Sequence, residues 1–405
     1  MRIAIIGTGI AGNVAAYHLQ REHDITVFEQ NSHVGGHTHT HDIQAERDHA
    51  IDTGFIVFND WTYPQFIALL EELGVASQPT EMSFSVKCER TGLEYNGNTL
   101  NSLFAQRRNL FSPRFHRMIR DILRFNREGH AFVCEHAVQT SSLSLGDFLQ
   151  QGRYSPQFIH QYIVPMGAAI WSADPKVMFE FPAQFFLRFF ANHGLLSVND
   201  RPQWRVIKGG SSAYLQPLTA GFREHVRTDC PVTAVQRHAD HVDIVTARYG
   251  KERFDCVFIA THSDQALKLL EQPSLDEQNV LKAIPYQDNE VVLHTDTSVL
   301  PRRRLAWASW NYHLPRQPQQ RVAVTYNMNI LQGLQAQDTY CVTLNDRARI
   351  DEKKIIKTLH YQHPLFTPQG VSAQSRQRAV NGVQRTYFCG PGGATVFMKM
   401  VWSVP

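Results

Sequence analysis

The feature that most constrains this chain stands at its start: Gly7-Thr-Gly9-Ile-Ala-Gly12, directly after the apolar run Arg2–Ile6. A short apolar run ending in glycines is the pattern of a buried parallel strand. Gly12 to Arg21 continues with helical spacing, and Ile25 to Glu29 reads as a second strand. In this strand–glycine–helix–strand order a GxGxxG triplet reads as a dinucleotide turn rather than a chance glycine-rich loop. Gly7 permits the tight turn, Gly9 lets a pyrophosphate approach the backbone, and Gly12 allows the helix to pack closely on the strand. Ile10 and Ala11 open that helix, whose unpaired N–H groups and positive dipole end favour phosphate. Glu29 follows Gly7 by 22 residues. From there a carboxylate accepts from ribose hydroxyls and repels a 2′-phosphate.

Size and composition narrow the class further. The 405 residues are enough for two or three domains, and 43% hydrophobic against 19% charged residues excludes a disordered chain. A net charge of +3 gives no global reason to expect nucleic acid as a partner. The longest apolar run, Ile163–Trp171, is about half the roughly 18 residues that span a bilayer. The segment Met1–Gly12 does not read as a signal peptide, because it is glycine-punctuated and soon followed by Glu22 and Asp24. The six cysteines form no CxxC pair, so a reducing, cytoplasmic location is expected.

Without internal repeats or low-complexity linkers, the domains are expected to interleave. Residues 61–204 read as mostly helical, with capping signals at Ser112-Pro113 and Ser144–Asp147. Strand patterns return at Pro231–Gln236, Val242–Thr246 and Phe254–Thr261, again between 286 and 345, and last at Thr386–Gly390. The fold class expected is α/β. A discontinuous Rossmann-like nucleotide-binding domain (residues 1–60, 205–265 and 380–405) would receive an inserted α+β substrate domain, helical over 61–204 and sheet-like over 266–379.

Gly35-Gly36 follows Glu29 by six residues. Together they resemble the extended FAD fingerprint of the glutathione-reductase-like flavoproteins, in the branch holding amine oxidases, protoporphyrinogen oxidases and phytoene desaturases. That branch usually has a basic residue after the second glycine pair, where this chain has His37. Further segments occur in the family's order: Val34–His39, Asp52-Thr-Gly-Phe-Ile-Val-Phe-Asn59, Pro165–Ser172, Gln203-Trp204 with Gly209-Gly-Ser211, and Phe258–His262. The chain from Met1 to Gly390 thus resembles a bacterial family of NAD/FAD-binding, amine-oxidase-like flavoproteins. The resemblance implies FAD as cofactor. It implies that Thr53-Gly54 passes near the flavin ring, that Gly209-Gly210-Ser211 turns into a helix beneath the cofactor domain, and that Val232 presents its backbone to the adenine.

Other clusters carry weaker signals. His33, His37, His39 and His41 crowd one stretch, and in a strand the last three would share a face. They read as a polar loop along the cofactor rather than a metal site, so no metal is expected. The dense aromatics Phe179, Phe181, Phe185, Phe186, Phe189 and Phe190 are core or the lining of an apolar cavity, with Trp307, Trp310, Tyr312 and Tyr326 as second candidates. Residues 113–127 form an amphipathic helix, with Phe115, Met118, Ile119, Ile122, Leu123 and Phe125 on one half and Arg114, Arg117, Arg120, Arg124 and Arg127 on the other. Its basic half is a solvated face or a weak peripheral membrane contact. No hydrolytic triad, HExxH or P-loop is evident, and no catalytic base can be named; His262 ends a strand at a plausible crevice.

These features point to a cytoplasmic FAD-dependent oxidoreductase that dehydrogenates a small-to-medium, largely apolar substrate by hydride transfer to flavin. Electrons would then pass to oxygen or another acceptor. The alternatives are a nicotinamide-dependent dehydrogenase and a flavin-binding protein inactivated by its carboxyl terminus. There the resembling family continues Cys-Gly-Ala-Trp-Trp-Gly-Tyr-Gly-Phe-His-Glu-Asp-Gly, whereas Cys389-Gly390, itself a cofactor-site candidate, is followed by Pro391-Gly-Gly-Ala-Thr-Val-Phe-Met-Lys-Met-Val-Trp402. Read from the third base of the Gly390 codon, the codons for this tail permit the family's aromatic turn. The expectation is a one-base frame change that leaves residues 391–405 out of frame.

Overall fold

The computed structural model describes residues 1–44, 48–136, 142–317, 321–365 and 367–390. At its centre lie five parallel strands in the order Val226–Arg227, Asp24–Phe28, Arg2–Ile6, Cys256–Ile259 and Thr386–Phe388. Their apolar residues are buried on both faces, which explains why these runs read as continuous rather than alternating. One face packs on the first helix, Ile10–Leu19, through Ala11, Ala15 and Ala16; the other packs on Val235, Ile244, Leu270 and Val280. Segments far apart in the chain thus build one sheet, as an α/β fold of interleaved parts requires.

Beside it stands a seven-stranded, mostly antiparallel sheet in the order Ile355–Pro364, Tyr286–His294, Cys341–Leu344, Ala323–Asn327, Trp310–Leu314, Phe84–Cys88 and Leu93–Asn96. The helices around Phe115–Phe125, Phe158–Trp171 and Phe181–Phe190 cover it with the largest apolar cluster of the described residues. Phe181, Phe186 and Phe190 are fully buried there, so the aromatic stripe is chiefly core.

Three local expectations change. Residues 61–204 are not only helical, because Phe84–Cys88 and Leu93–Asn96 form a hairpin closed by Gly92 at φ +67°. The strand beginning at Val232 does not join the central sheet; it pairs antiparallel with Val242–Thr246, and the two-residue strand Val226–Arg227 takes the edge instead. The arginine-rich helix runs from Pro113 to Glu135, with Leu123 exposed and Arg124 turned inward onto Gly152 O, Asp121 and the Tyr154 ring. Residues 391–405, and with them the expected frame change, lie outside the described residues. All six cysteines are unpaired. Among the described residues no helix is long and apolar enough to cross a membrane.

The sheet–helix crossing gives a direct test. A Cβ on Gly12 would sit 1.9 Å from the Gly7 carbonyl oxygen, whereas one on Gly97 meets nothing within 4 Å. Gly12→Ala is expected to cost about 1–3 kcal/mol by overpacking, and Gly97→Ala to stay within about 0.5 kcal/mol. Thermal melts of the two variants check the difference.

Candidate functional site

The site begins where the first strand ends. Gly7 holds φ +98°, and a Cβ there would lie 2.8 Å from the Ala260 carbonyl oxygen, so this turn needs glycine for internal reasons. Gly9 differs. Its φ is −61°, open to any residue, and a Cβ on it would meet no atom within 4 Å. Gly9 is also the N-cap of the first helix, with no side-chain cap and no acidic residue in the first turn. The first-turn N–H groups have no intrahelical partner and the space beside Gly9 is open, the arrangement that receives an anion.

Thr8, an unspecified position of the triplet, ties the surroundings together. Its N–H and hydroxyl donate to Glu29 Oε2 at 2.9 and 2.5 Å, and the hydroxyl accepts from the N–H of Gly35 at 3.3 Å. Glu29 is buried, and its other oxygen accepts from the backbone and side chain of Asn31, both at 2.9 Å. Four donors fill the carboxylate, so a ribose hydroxyl must displace one, and the exposed Asn31 is the one free to swing. The chain at Asp229–Cys230 runs alongside, donating to Asn31 O and Glu29 O, and brings Val232 to the same edge with its side chain half-buried.

The second glycine pair lies on the first: a Cβ on Gly36 would come 3.1 Å from Gly9 Cα. Beyond it, the Phe55 N–H donates to His37 O, and a Cβ on Gly54 would be 2.0 Å from that oxygen. Gly54 is thus required by the His37 backbone. Gly390 abuts Thr261 O in the same way, at 2.2 Å.

The histidine stretch divides instead of sharing a strand face. His33 stacks on His39, whose ring lies tilted against His41, while the His37 ring neighbours His262, Tyr361 and His363. His262 stacks on Tyr286, and His363 shares a 3.0 Å hydrogen bond with the Ser172 hydroxyl. Burial, reinforced by neighbouring imidazoles, pushes His37 and His363 down to about 4; burial also lowers His262. At neutral pH this group is a set of uncharged imidazoles, with His37 Nε2 and His262 Nδ1 buried and unbonded. His37 is therefore not the permanent cation usual at its position. Lys357 donates to His41 Nδ1 at 3.3 Å, so the proton of that neutral ring sits on Nε2 and is shared with Thr53 Oγ1 at 3.0 Å.

Beneath this lies Asp52, fully buried. It accepts from Ser211 N, Ser211 Oγ, Thr40 Oγ1 and Gln332 Nε2, at 2.6 to 3.2 Å. Burial pushes its carboxyl up to about 6, against the pull of the Thr40 and Ser211 donors. Sequence reasoning placed Thr8, Asp52 and Ser172 in motifs without a role, and it passed over Tyr361 and His363. The alternation of Tyr361 and His363 along one strand was the available signal.

The residues present fit a dinucleotide. The open cradle at Gly9, the uncapped helix start and the Glu29 carboxylate suit a pyrophosphate and a ribose.

Comparison with known proteins agrees with this geometry. Residues 10–322 match the family described as flavin-containing amine oxidoreductase. No curated protein matches the chain in sequence. Among solved structures, putrescine oxidase bound to putrescine superposes with a TM-score of 0.68 at 13% identity, covering 99% of this chain and 97% of that one. Cyclohexylamine oxidase from Brevibacterium oxydans IH-35A gives 0.69 at 15%, covering 99% and 98%. A CLA-producing fatty acid isomerase from P. acnes gives 0.65 at 14%, covering 99% and 96%. At these identities the structures establish the shared fold.

The buried imidazoles predict an acid sensitivity with a definite sign. His37, His39, His41 and His363 are held near 4 against an ordinary 6.5, so between these values the unfolded chain binds more protons and stability falls as pH falls. Asp52, raised from 3.8 to about 6, acts oppositely in its own window, but it is one group against four. Melting temperature is therefore expected to drop as pH is lowered through 6.5, and less steeply in His37→Gln. Asp52→Asn, which turns an amide toward the Ser211 N–H, is expected to cost about 1–3 kcal/mol in the same melts at neutral pH.

Proposed function

Since the chain belongs to the flavin-containing amine oxidoreductase family and is an FAD-dependent oxidoreductase, we propose that it dehydrogenates a small-to-medium, largely apolar substrate, an amine by preference. FAD, when bound, accepts the two electrons as a hydride. The observation that carries the reading is Gly9: nothing in the protein itself requires glycine there, whereas Gly7 and Gly12 are required by their own neighbours. A ligand backbone passing over Gly9 supplies the missing reason. Gly9, Ile10 and Ala11 would hold the pyrophosphate through N–H groups, Glu29 the ribose, and the 229–232 segment with Val232 the adenine edge. Gly35, Gly36, Thr53, Gly54 and Gly390 would serve by keeping backbones close enough to shape the cavity.

The remaining residues suit the substrate's half of the reaction. Oxidation of an amine to an imine removes a hydride from carbon and one proton from nitrogen. An ammonium must first lose a proton to expose its lone pair, and it would do so on binding; His37 and His363, held near 4, are too weakly basic to take that proton and instead offer uncharged hydrogen-bonding partners to the neutral amine. Trp310 and Tyr326 meet edge to face at 5.0 Å and pack on the cluster containing Ile51 and Ile56, which flank the Thr53–Gly54 turn. They supply apolar walls that exclude water. Putrescine oxidase and cyclohexylamine oxidase, which share the fold, act on the amines in their names.

Two measurements test this. Gly9→Val is expected to cost the flavin-free protein at most about 1 kcal/mol, the difference between a good and a poor N-cap, while flavin retention is lost. A variant that keeps its flavin removes the cradle reading. Under anaerobic conditions, bound flavin should be bleached by apolar amines and not by the matching alcohols; bleaching by neither, or equally by both, contradicts the substrate reading.

A further inference from the structure

We propose that the surface formed by residues 97–120 and 301–305 docks on an anionic lipid bilayer. The sequence from Gly97 to Arg120 contains five arginines (Arg107, Arg108, Arg114, Arg117 and Arg120) and no aspartate or glutamate. Arg302, Arg303 and Arg304 add three more charges from a distant part of the chain. The fold brings the two segments together. The short helix Leu100–Leu103 packs against the turn Arg304–Ala306, and Glu94 holds that turn by accepting from the N–H groups of Arg302 and Arg303 at 3.0 and 3.1 Å. That carboxylate is thereby occupied by backbone, and Asp121 is occupied by Arg124 and Ser155 N. Among the described residues, all ion pairs made by arginine involve other arginines, so these eight charges are uncompensated.

Charge alone would suit a nucleic acid or an acidic protein equally well. The apolar residues on the same surface favour lipid. Phe111 is 87% exposed, Leu100 77%, Leu305 48% and Leu110 45%. Isolated exposed leucines are ordinary, but four large apolar side chains among eight unpaired arginines are not. In water they stabilise nothing. At a bilayer surface Phe111 and Leu110, at the tip before the long helix, reach the boundary between headgroups and acyl chains, while the arginines meet lipid phosphates. The tip is preorganised: Arg107 donates to Asn101 and Phe104 O, Arg108 to Gly92 O, and Ser112 caps the helix behind it. The basic helix seen in the sequence thus contributes only its first turns, Arg114, Arg117 and Arg120. Arg124 points inward and takes no part.

The test is co-sedimentation of the flavin-loaded protein with vesicles of phosphatidylcholine, with and without phosphatidylserine, at low and high salt. Duplex DNA is the competing probe. Two variants change only exposed side chains, and melting temperature and flavin content check that each remains folded. Wild type is expected to sediment with phosphatidylserine vesicles and to dissociate as salt rises. The Arg107/Arg108/Arg114/Arg117→Gln variant is expected to bind at least about tenfold more weakly, and Leu110/Phe111→Ser to bind more weakly at both salt concentrations. The proposal is overturned if wild type ignores phosphatidylserine, if the charge variant binds equally, or if DNA is bound in preference to vesicles.

Discussion

The first strand, the helix after it and the strand Cys256–Ile259 meet backbone to backbone. Gly7 lies against Ala260, and Gly12 against Gly7, at distances that leave no room for a side chain. This approach lets the first helix start directly above the strand ends, so its unpaired N–H groups face the crevice rather than bulk water. The same closeness admits the second glycine pair, with Gly36 resting on Gly9 and Gly35 bonded to the Thr8 hydroxyl. Burial of the parallel sheet, placement of Glu29 through Thr8, and an opening at Gly9 all follow from one constraint. The opening has no structural necessity of its own, and the proposed cofactor site rests on that.

A second constraint joins this crevice to the histidine cluster beside it. The buried Asp52 carboxylate gathers donors from Thr40, Ser211 and Gln332, three separate elements. Such a group costs desolvation unless every lone pair is used, and here the donors use them. Asp52 fixes the turn that carries Thr53 and Gly54, and with it the path of the His37 backbone. Above it the imidazoles stay uncharged because they are buried beside one another. Burial thus lines this part of the crevice with polar groups that carry no charge.

The parts legible in the sequence were those set by local chemistry. Gly7, Gly9 and Gly12 could be read because positive φ, open approach and close packing each demand glycine at a fixed spacing. The central strands could be read because burial on both faces leaves uninterrupted apolar runs. What was missed depends on contacts between distant residues. Asp52 finds Gln332 and Ser211 only in the fold, and Tyr361 and His363 meet His37 across more than 300 positions. The hairpin Phe84–Asn96 was hidden among helical patterns because its strands are short. The division of the four histidines was also unreadable, since one turn after Gly36 decides which way His37 points. The arginine tally was visible, but its meeting with Arg302–Leu305 was not.

The identity and amount of cofactor released from the purified, denatured protein test the account most directly. Separation of the released chromophore is expected to yield FAD, approaching one molecule per chain, and no nicotinamide dinucleotide. Recovery of a nicotinamide nucleotide, or of no nucleotide from protein that binds none when FAD is added, would contradict the assignment of the glycine cradle to FAD.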